Sequence, residues 1–185
     1  MLLTGGGKVK DVDLHRLREF LIFIDTKLSE IDQRITNSVD PESDGLLDQG
    51  EYLIGIGFVV IQQHLTDSLI GLNISKNESF ALGSVHQSGP TSISVINSAA
   101  NWWKHEAEWF KNGNVPKNGE RTFETIMGIS KQNEYALSNV LASFSETKTI
   151  SFIECIVPHI EQWTRELVSH NETKNRKYSD SHCKK

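Results

Sequence analysis

One stretch in the middle of the chain, NSAANWWKHEAEWF at residues 97–110, combines side chains capable of acid–base chemistry with three of the four tryptophans. His105 titrates near neutral pH and can serve as an acid or a base, while Glu108 can orient its ring. Lys104 and Asn101 can hold an anion beside the imidazole. These residue types predict a site that binds a ligand, with catalysis as a further option.

A helix over residues 91–110 would sort this stretch into three faces. At about 100° per residue, the apolar side chains share one arc, the predicted core face. That arc contains Ile93, Ile96, Ala99, Ala100, Trp103, Ala107 and Phe110. The candidate ligand-binding residues form a polar stripe nearly opposite and an aromatic shoulder next to it. They are Asn97, Asn101, Trp102, Lys104, His105, Glu108 and Trp109. In the alternative interpretation the stripe faces solvent, and the shoulder tryptophans pack under a loop or in a subunit contact.

Two pairs of side chains, His64 with Asp67 and His105 with Glu108, have a spacing that could present metal ligands from one helix face. Di-metal sites in helical bundles use more glutamates and repeat Glu-x-x-His on two helices. The sequence shows neither feature, and a polar position on a buried helix is the commoner explanation of the first pair. It therefore predicts no metal and no cofactor.

A second constellation, RELVSH, places Arg165 and His170 near the end of the last predicted helix. Both side chains could simply complement the helix dipole there. The Arg-x4–6-His spacing also resembles the motif of HEPN-type helical bundles, many of which are ribonuclease toxins that act as dimers. That resemblance implies a metal-independent ribonuclease of the toxin or defence type. His170 would then be the acid or base and Arg165 the phosphate ligand, with Lys104 and His105 across the groove.

The segment AANWWKHEAEW, residues 99–109, is similar to segments of uncharacterised bacterial helical proteins carried on mobile gene cassettes such as those of integrons. The resemblance implies an accessory bacterial protein and no particular activity.

Charge and cysteine content narrow the class of protein. The net charge is −5, and residues 171–185 hold five Lys/Arg against two Asp/Glu, so the remaining chain carries about −8. Such an acidic body is unfavourable for general nucleic-acid binding and compatible with an antitoxin-like or structural interaction protein. Cys155 and Cys183 give no disulfide framework and no metal-ligand spacing. No apolar stretch has the length of a signal peptide core or membrane span, so the sequence predicts a cytoplasmic protein.

The apolar spacing predicts an all-α, single-domain bundle of five or six helices. Residues 1–10 are a predicted flexible lead-in, 11–170 the helical domain and 171–185 a disordered polar tail. The predicted helices span 13–35, 45–72, 91–110, 121–130, 133–145 and 150–170, the last kinked at Pro158. The segment YLIGIGFVVI in the second helix could instead be a strand, but the rest of the chain offers no strand to pair with it.

The narrow apolar seam of the first helix and the aromatic shoulder of residues 102–109 both predict a partner, and we expect a homodimer. The seam residues are Leu14, Leu17, Leu21, Ile24, Leu28, Ile31 and Ile35, with Phe20 and Phe23 widening it. The first functional expectation is a protein that binds a small molecule or a protein partner through residues 97–109. The ribonuclease, with RNA as its substrate, and the interaction protein are the alternatives.

Overall fold

The computed structural model describes the backbone of residues 2–5, 8–146 and 150–182, and the side chains of residues 13–146 and 150–176. Over these residues the chain forms eight helices: α1 (Val12–Asn37), α2 (Leu46–Asp67), α3 (Lys76–Phe80), α4 (Ser92–Asn112), α5 (Glu120–Ser130), α6 (Ala136–Ala142), α7 (Phe152–Cys155) and α8 (Val157–His182). The prediction of an all-α single domain is confirmed. Two of the eight, α3 and α7, have only five and four residues, which accounts for the difference from the predicted number.

The predicted lead-in forms a short hairpin before α1. Strand β1 (Leu2–Gly5) pairs antiparallel with β2 (Lys8–Asp11), and Thr4 lies opposite Val9. β-Branched residues such as these favour extended backbone. The other lead-in residues, at positions 1, 6 and 7, lie outside the described residues.

Helix α2 is the centre of the fold and packs against α1 and α4. Its core side chains, Ile54, Phe58, Ile61 and Leu65, are all fully buried. Because α2 is continuous through YLIGIGFVVI, the strand alternative is wrong and the central helix is confirmed. The helix is shorter than predicted and ends at Asp67. Neither α2 nor any other described helix combines the length and the apolar character needed to cross a membrane.

Two glycines allow neighbouring side chains to approach the α2 backbone closely. A Cβ atom at Gly55 would lie 2.2 Å from the Trp103 ring, and one at Gly57 would lie 2.4 Å from the Phe152 ring. Gly50 is different, because a Cβ there would have no neighbouring atom within 4 Å.

Helix α1 matches the predicted segment, and most of its seam is buried. The buried seam residues are Leu17, Leu21, Ile24, Leu28 and Ile31. They pack against helices of the same chain, mainly α2 and α7. An ion pair between Arg18 and Glu161 also connects α1 to α8. The seam is therefore satisfied within one chain and gives no argument for a dimer.

Pro158 divides the last predicted helix rather than kinking it. Helix α7 ends at Cys155, Ile156 has φ −108°, and α8 begins at Val157. Proline lacks the backbone N–H that a continuous helix would use. The backbone of α8 continues to His182, through most of the predicted tail, and Lys174 there donates to Glu78 of α3 over 3.1 Å. Residues 183–185 lie outside the described residues.

Helix α3 lies between the second and third predicted helices, where no helix was predicted, and a capping box defines its start. The Ser75 hydroxyl accepts from the Glu78 N–H at 3.3 Å, and the Glu78 carboxylate accepts from the Ser75 N–H at 2.9 Å. The Ser-x-x-Glu spacing that signals this arrangement is present in the sequence. These hydrogen bonds lower the pKa of Glu78 to about 2, with Lys174 adding to the effect.

Candidate functional site

Helix α4 carries the predicted site, and the residues at both of its ends are typical helix caps. The Thr91 hydroxyl caps the first turn by accepting from the Ser94 N–H at 3.2 Å. Gly113 ends the helix in the left-handed conformation with φ 62°, which glycine adopts without a Cβ clash. The α4–α5 loop that follows is rich in asparagine and turns back along the helix.

The predicted aromatic shoulder of α4 is wrong, because both of its tryptophans belong to the core. Trp102 is 0% exposed and Trp109 is 6% exposed, while Trp103 is only partly buried and Ala107 and Phe110 are exposed. The reason is that α5 packs on the second half of α4. The Trp102 ring contacts Phe123 of α5, with centroids 5.9 Å apart. The side of α4 that faces α5 is therefore buried, and it differs from the side predicted from the sequence of α4 alone.

One part of the polar stripe forms a hydrogen-bond network with α2. The Gln62 side-chain amide donates to the side-chain oxygens of Asn97 and Asn101, both at 2.9 Å. The Lys104 ammonium donates to the Gln62 oxygen at 2.7 Å. Partial burial lowers the pKa of Lys104, and Lys76 contributes to the same shift. These contacts close the polar edge of the α2–α4 interface and leave less of the stripe for a ligand.

A second part of the stripe, which shares Asn101 with the first, lines a half-open groove between α4, the α4–α5 loop and the start of α5. We name it the asparagine groove, and its volume is about 580 Å³. Its lining residues are Asn101, His105, Glu108, Trp109, Asn112, Asn114, Pro116, Asn118, Gly119 and Thr122.

His105 and Trp109 form one wall of the asparagine groove. Their rings are stacked, with centroids 6.0 Å apart and planes 18° apart, and the Nδ1 atom of His105 lies 3.9 Å from a Glu108 carboxylate oxygen. A Cβ at position 119 would lie 2.8 Å from the Trp109 ring, so Gly119 lets the loop approach the indole. The Gly119 N–H donates to the Pro116 carbonyl at 2.7 Å and tightens this turn.

The lining of the asparagine groove contains no lysine or arginine. It offers four side-chain amides together with a hydroxyl and an imidazole. Side-chain amides can donate and accept hydrogen bonds, although the Asn101 oxygen already accepts from Gln62. Glu108 is the only carboxylate of the lining. This set suits a ligand with several neutral hydrogen-bonding groups better than a phosphate or another anion.

The structure thus separates the predicted ligand-binding residues. Asn101, His105, Glu108 and Trp109 meet in the groove, whereas Asn97 and Lys104 pair with α2 and Trp102 is in the core. The groove residues that sequence reasoning missed are Asn112, Asn114, Asn118 and Thr122. They lie in or beside NGNVPKNGE, residues 112–120, between two predicted helices, and the density of amide side chains in this segment is typical of a polar binding loop.

Arg165 and His170 are both exposed on α8. Side chains five residues apart on an α-helix point about 140° away from each other, so Arg165 and His170 do not converge within one chain. Neither lines the asparagine groove that contains His105. The Glu166 carboxylate next to Arg165 accepts from the Gly83 N–H at 2.7 Å, and hydrogen bonds from Gln162 and Gly83 lower its pKa.

A cluster of serines and histidines, which we name the Ser–His cluster, was not recognised in the sequence because its members are far apart. It joins the segment before α4 to α8: the Ser84 hydroxyl lies 2.6 Å from the His159 Nδ1 atom and 2.9 Å from the Ser92 hydroxyl. It also joins that segment to the end of α6, because the His86 Nε2 atom lies 3.0 Å from the Ser143 hydroxyl. Burial lowers the pKa of both histidines, so both are neutral at pH 7.

Two carboxyl groups lie where α2, α4 and α6 meet. Burial raises the pKa of Glu106, and the charge of Glu51 adds to the shift. The Trp102 indole N–H has a smaller, opposite effect on the Glu106 pKa, although this N–H makes no hydrogen bond of normal geometry. The Glu51 carboxylate accepts from the Leu137 and Ser138 N–H groups at 2.6 and 2.9 Å, so its role is to hold the start of α6.

Among the residues that the structure describes, no group of three or more His, Cys, Asp or Glu side chains is placed to hold a metal ion. Comparisons of the chain with protein-family models, with curated proteins and with solved structures find no match.

Proposed function

We propose that this protein binds a small, uncharged ligand rich in hydroxyl or amide groups in the asparagine groove. Nucleosides and monosaccharides share this chemistry. The observation that carries the proposal is the convergence of four asparagines, Thr122 and His105 on one half-open groove of ligand size.

The electrostatics of the groove support a neutral ligand. Its charged lining group is Glu108, which would repel an anion, and the nearby ammonium of Lys104 is engaged by Gln62. Side-chain amides are well suited to paired donors and acceptors, such as adjacent hydroxyls or the edge of a base. The stacked ring of His105, about half exposed, provides an aromatic surface at the rim.

The rigidity of the groove wall also supports binding. Trp109 is held between His105 and Gly119 and contacts the buried Trp102, with ring centroids 6.2 Å apart. A wall that is fixed by the core lowers the entropic cost of ordering the site when a ligand binds.

The test is a titration of the ¹⁵N-labelled protein, followed by NMR of the side-chain amides, with uridine, glucose and their phosphorylated forms. We expect a neutral compound to shift the groove amides and its phosphorylated form to bind at least tenfold more weakly. Asn118→Ala and His105→Ala should each weaken binding by about tenfold, the effect of losing one or two hydrogen bonds.

The matched control is Asn133→Ala, since Asn133 is exposed in the α5–α6 loop outside the groove. It should bind like the unaltered protein. Shifts that survive both groove substitutions, or no groove shift with any of the neutral compounds at millimolar concentration, would overturn the proposal.

The ribonuclease alternative, the interaction-protein alternative and the cytoplasmic location remain predictions. For the first, cleavage of an RNA pool that disappears in the Arg165→Ala/His170→Ala variant while the fold is kept would replace the ligand-binding proposal. Equal trace cleavage by both proteins would remove Arg165 and His170 from consideration.

A further inference from the structure

An exposed aromatic surface lies on the outer side of α1 and α2, away from the asparagine groove. Phe20 and Phe23 of α1 are 39% and 54% exposed, and Tyr52 of α2 is 58% exposed. The two phenylalanine rings contact each other, with centroids 6.4 Å apart. Large apolar side chains that are exposed together, rather than singly, mark interaction surfaces.

A shallow groove of about 640 Å³ runs along this surface between the two helices. We name the surface, including Phe20, the α1–α2 face. The groove residues are Phe23, Lys27, Glu30, Ile31, Arg34, Asp48, Gln49, Tyr52 and Leu53. Most of the lining surface is apolar, and four of these nine residues are charged.

The charges of the α1–α2 face balance each other. Lys27 and Arg34 are matched by Glu30 and Asp48, so this groove is neutral in a chain of net charge −5. Two copies of an acidic protein repel each other in most relative orientations. The repulsion is smallest where a neutral, apolar surface of one copy faces the same surface of the other.

The distribution of these charges also fits self-association. The Lys27 ammonium binds Glu30 of its own helix at 2.7 Å, whereas the Arg34 guanidinium donates to the neutral Gln49 at 3.2 Å. Among the described residues, neither Arg34 nor Asp48 belongs to an ion pair. In a two-fold dimer a contact from one copy to the other is repeated in reverse, so one cation and one anion supply two ion pairs.

We infer that the α1–α2 face is the contact surface of a homodimer, in which the aromatic side chains of two copies pack together across a two-fold axis. Arg34 of each copy then pairs with Asp48 of the partner subunit. This surface shares no residue with the asparagine groove, so the inference is independent of the proposed function.

The first experiment is sedimentation velocity and light scattering of the full chain over a range of micromolar concentrations. We expect a species of twice the 20.8 kDa chain mass. Phe23→Asp should convert it to the monomer, because a charge would be buried at the centre of the interface. The circular dichroism spectrum should stay unchanged, because Phe23 is exposed in the single chain.

The matched control is Ile22→Asp. Ile22 is also 54% exposed and is the next residue of the same helix, but it points about 100° away from Phe23 and does not line the groove. This variant should remain a dimer. A monomeric wild-type protein, or equal dissociation by both substitutions, would overturn the inference.

Charge reversal tests the arrangement of the two copies. Arg34→Asp and Asp48→Arg should each weaken the dimer by about tenfold, since each places two like charges opposite each other. The double variant restores opposite charges and should recover most of the affinity. If the double variant is as weak as the sum of the single variants, the proposed two-fold pairing is wrong.

Discussion

Gly57 determines how closely two core helices can approach. A hydrogen atom in place of a side chain leaves space for the Phe152 ring, which would lie 2.4 Å from a Cβ at this position. Phe152 is fully buried and also contacts Phe58 edge-on, with ring centroids 5.3 Å apart, so it has no open space to move into. The backbone of α2 and the start of α7 are therefore matched in shape at this residue.

At the residue scale we predict opposite effects for two glycine substitutions in α2. Gly57→Ala should destabilise the fold by about 1–3 kcal/mol, because an overpacked core must shift. Gly50→Ala should stabilise it by about 0.5–1 kcal/mol, because alanine favours the helix and meets no neighbour within 4 Å. Urea unfolding of both variants measures the two values. A stabilising Gly57→Ala would show that the close packing described here does not form.

At the element scale, α7 depends on a carboxylate that comes from α1. The Asp25 oxygens accept from the Phe152 and Ile153 N–H groups at 2.8 and 3.0 Å, and from the Ser151 hydroxyl at 2.7 Å. A helix of four residues has too few internal hydrogen bonds to be stable alone. Asp25 thus fixes the position of α7 and, through it, of Phe152 against α2.

Replacement of Asp25 by alanine should therefore cost about 2 kcal/mol, the scale for hydrogen bonds to a charged group. Asp32→Ala is the matched control on the same helix, because Asp32 is exposed and its effect should stay within about 0.5 kcal/mol. Chemical denaturation of both variants gives the comparison. Equal losses would mean that the general charge of α1, rather than the cap on α7, carries the effect.

The elements also explain which parts of the structure were predictable. The spacing of apolar residues predicted α1, α2 and α4, because the buried residues of each helix recur every three or four positions along its own sequence. It misplaced Trp102 and Trp109, because α5 covers them and a helical wheel contains no information about a second helix. The groove was half predicted for the same reason: His105 and Glu108 belong to α4, whereas Asn114 and Asn118 reach the site only because the chain reverses at Gly113.

At the scale of the whole molecule, the Ser–His cluster joins segments that are far apart in the sequence. The His86 Nδ1 atom accepts from the Ser88 N–H at 3.2 Å, and its Nε2 atom meets Ser143 beyond α6. His159 holds Ser84 from α8, and the Phe144 ring contacts both imidazoles, with centroids 4.6 and 5.3 Å away. Protonation of His86 would place a hydrogen on the Nδ1 atom that now accepts one.

These contacts predict that acid weakens the whole fold as the pH falls through 6.5. Burial holds the pKa of His86 and His159 below 6.5, the value expected in the unfolded chain. As the pH falls through 6.5 the unfolded chain takes up protons that the folded chain does not. The free energy of unfolding then decreases, by at most about 1.4 kcal/mol per pH unit for each histidine. The loss ends below the folded-state pKa values, and Glu78 adds a separate loss only as the pH falls from 4.5 towards 2.

Urea unfolding at pH 7.5, 6.5 and 5.5 measures this dependence. The His86→Gln/His159→Gln variant should be less stable at pH 7.5, because it loses the two imidazole contacts, and its stability should vary little between pH 7.5 and 5.5. His170→Gln serves as the control, because that ring is exposed on α8 and outside the cluster, and it should keep the dependence of the unaltered protein. If the double variant retains the full loss on acidification, the two histidines are not its source, and the link between α4, α6 and α8 does not respond to pH in this range.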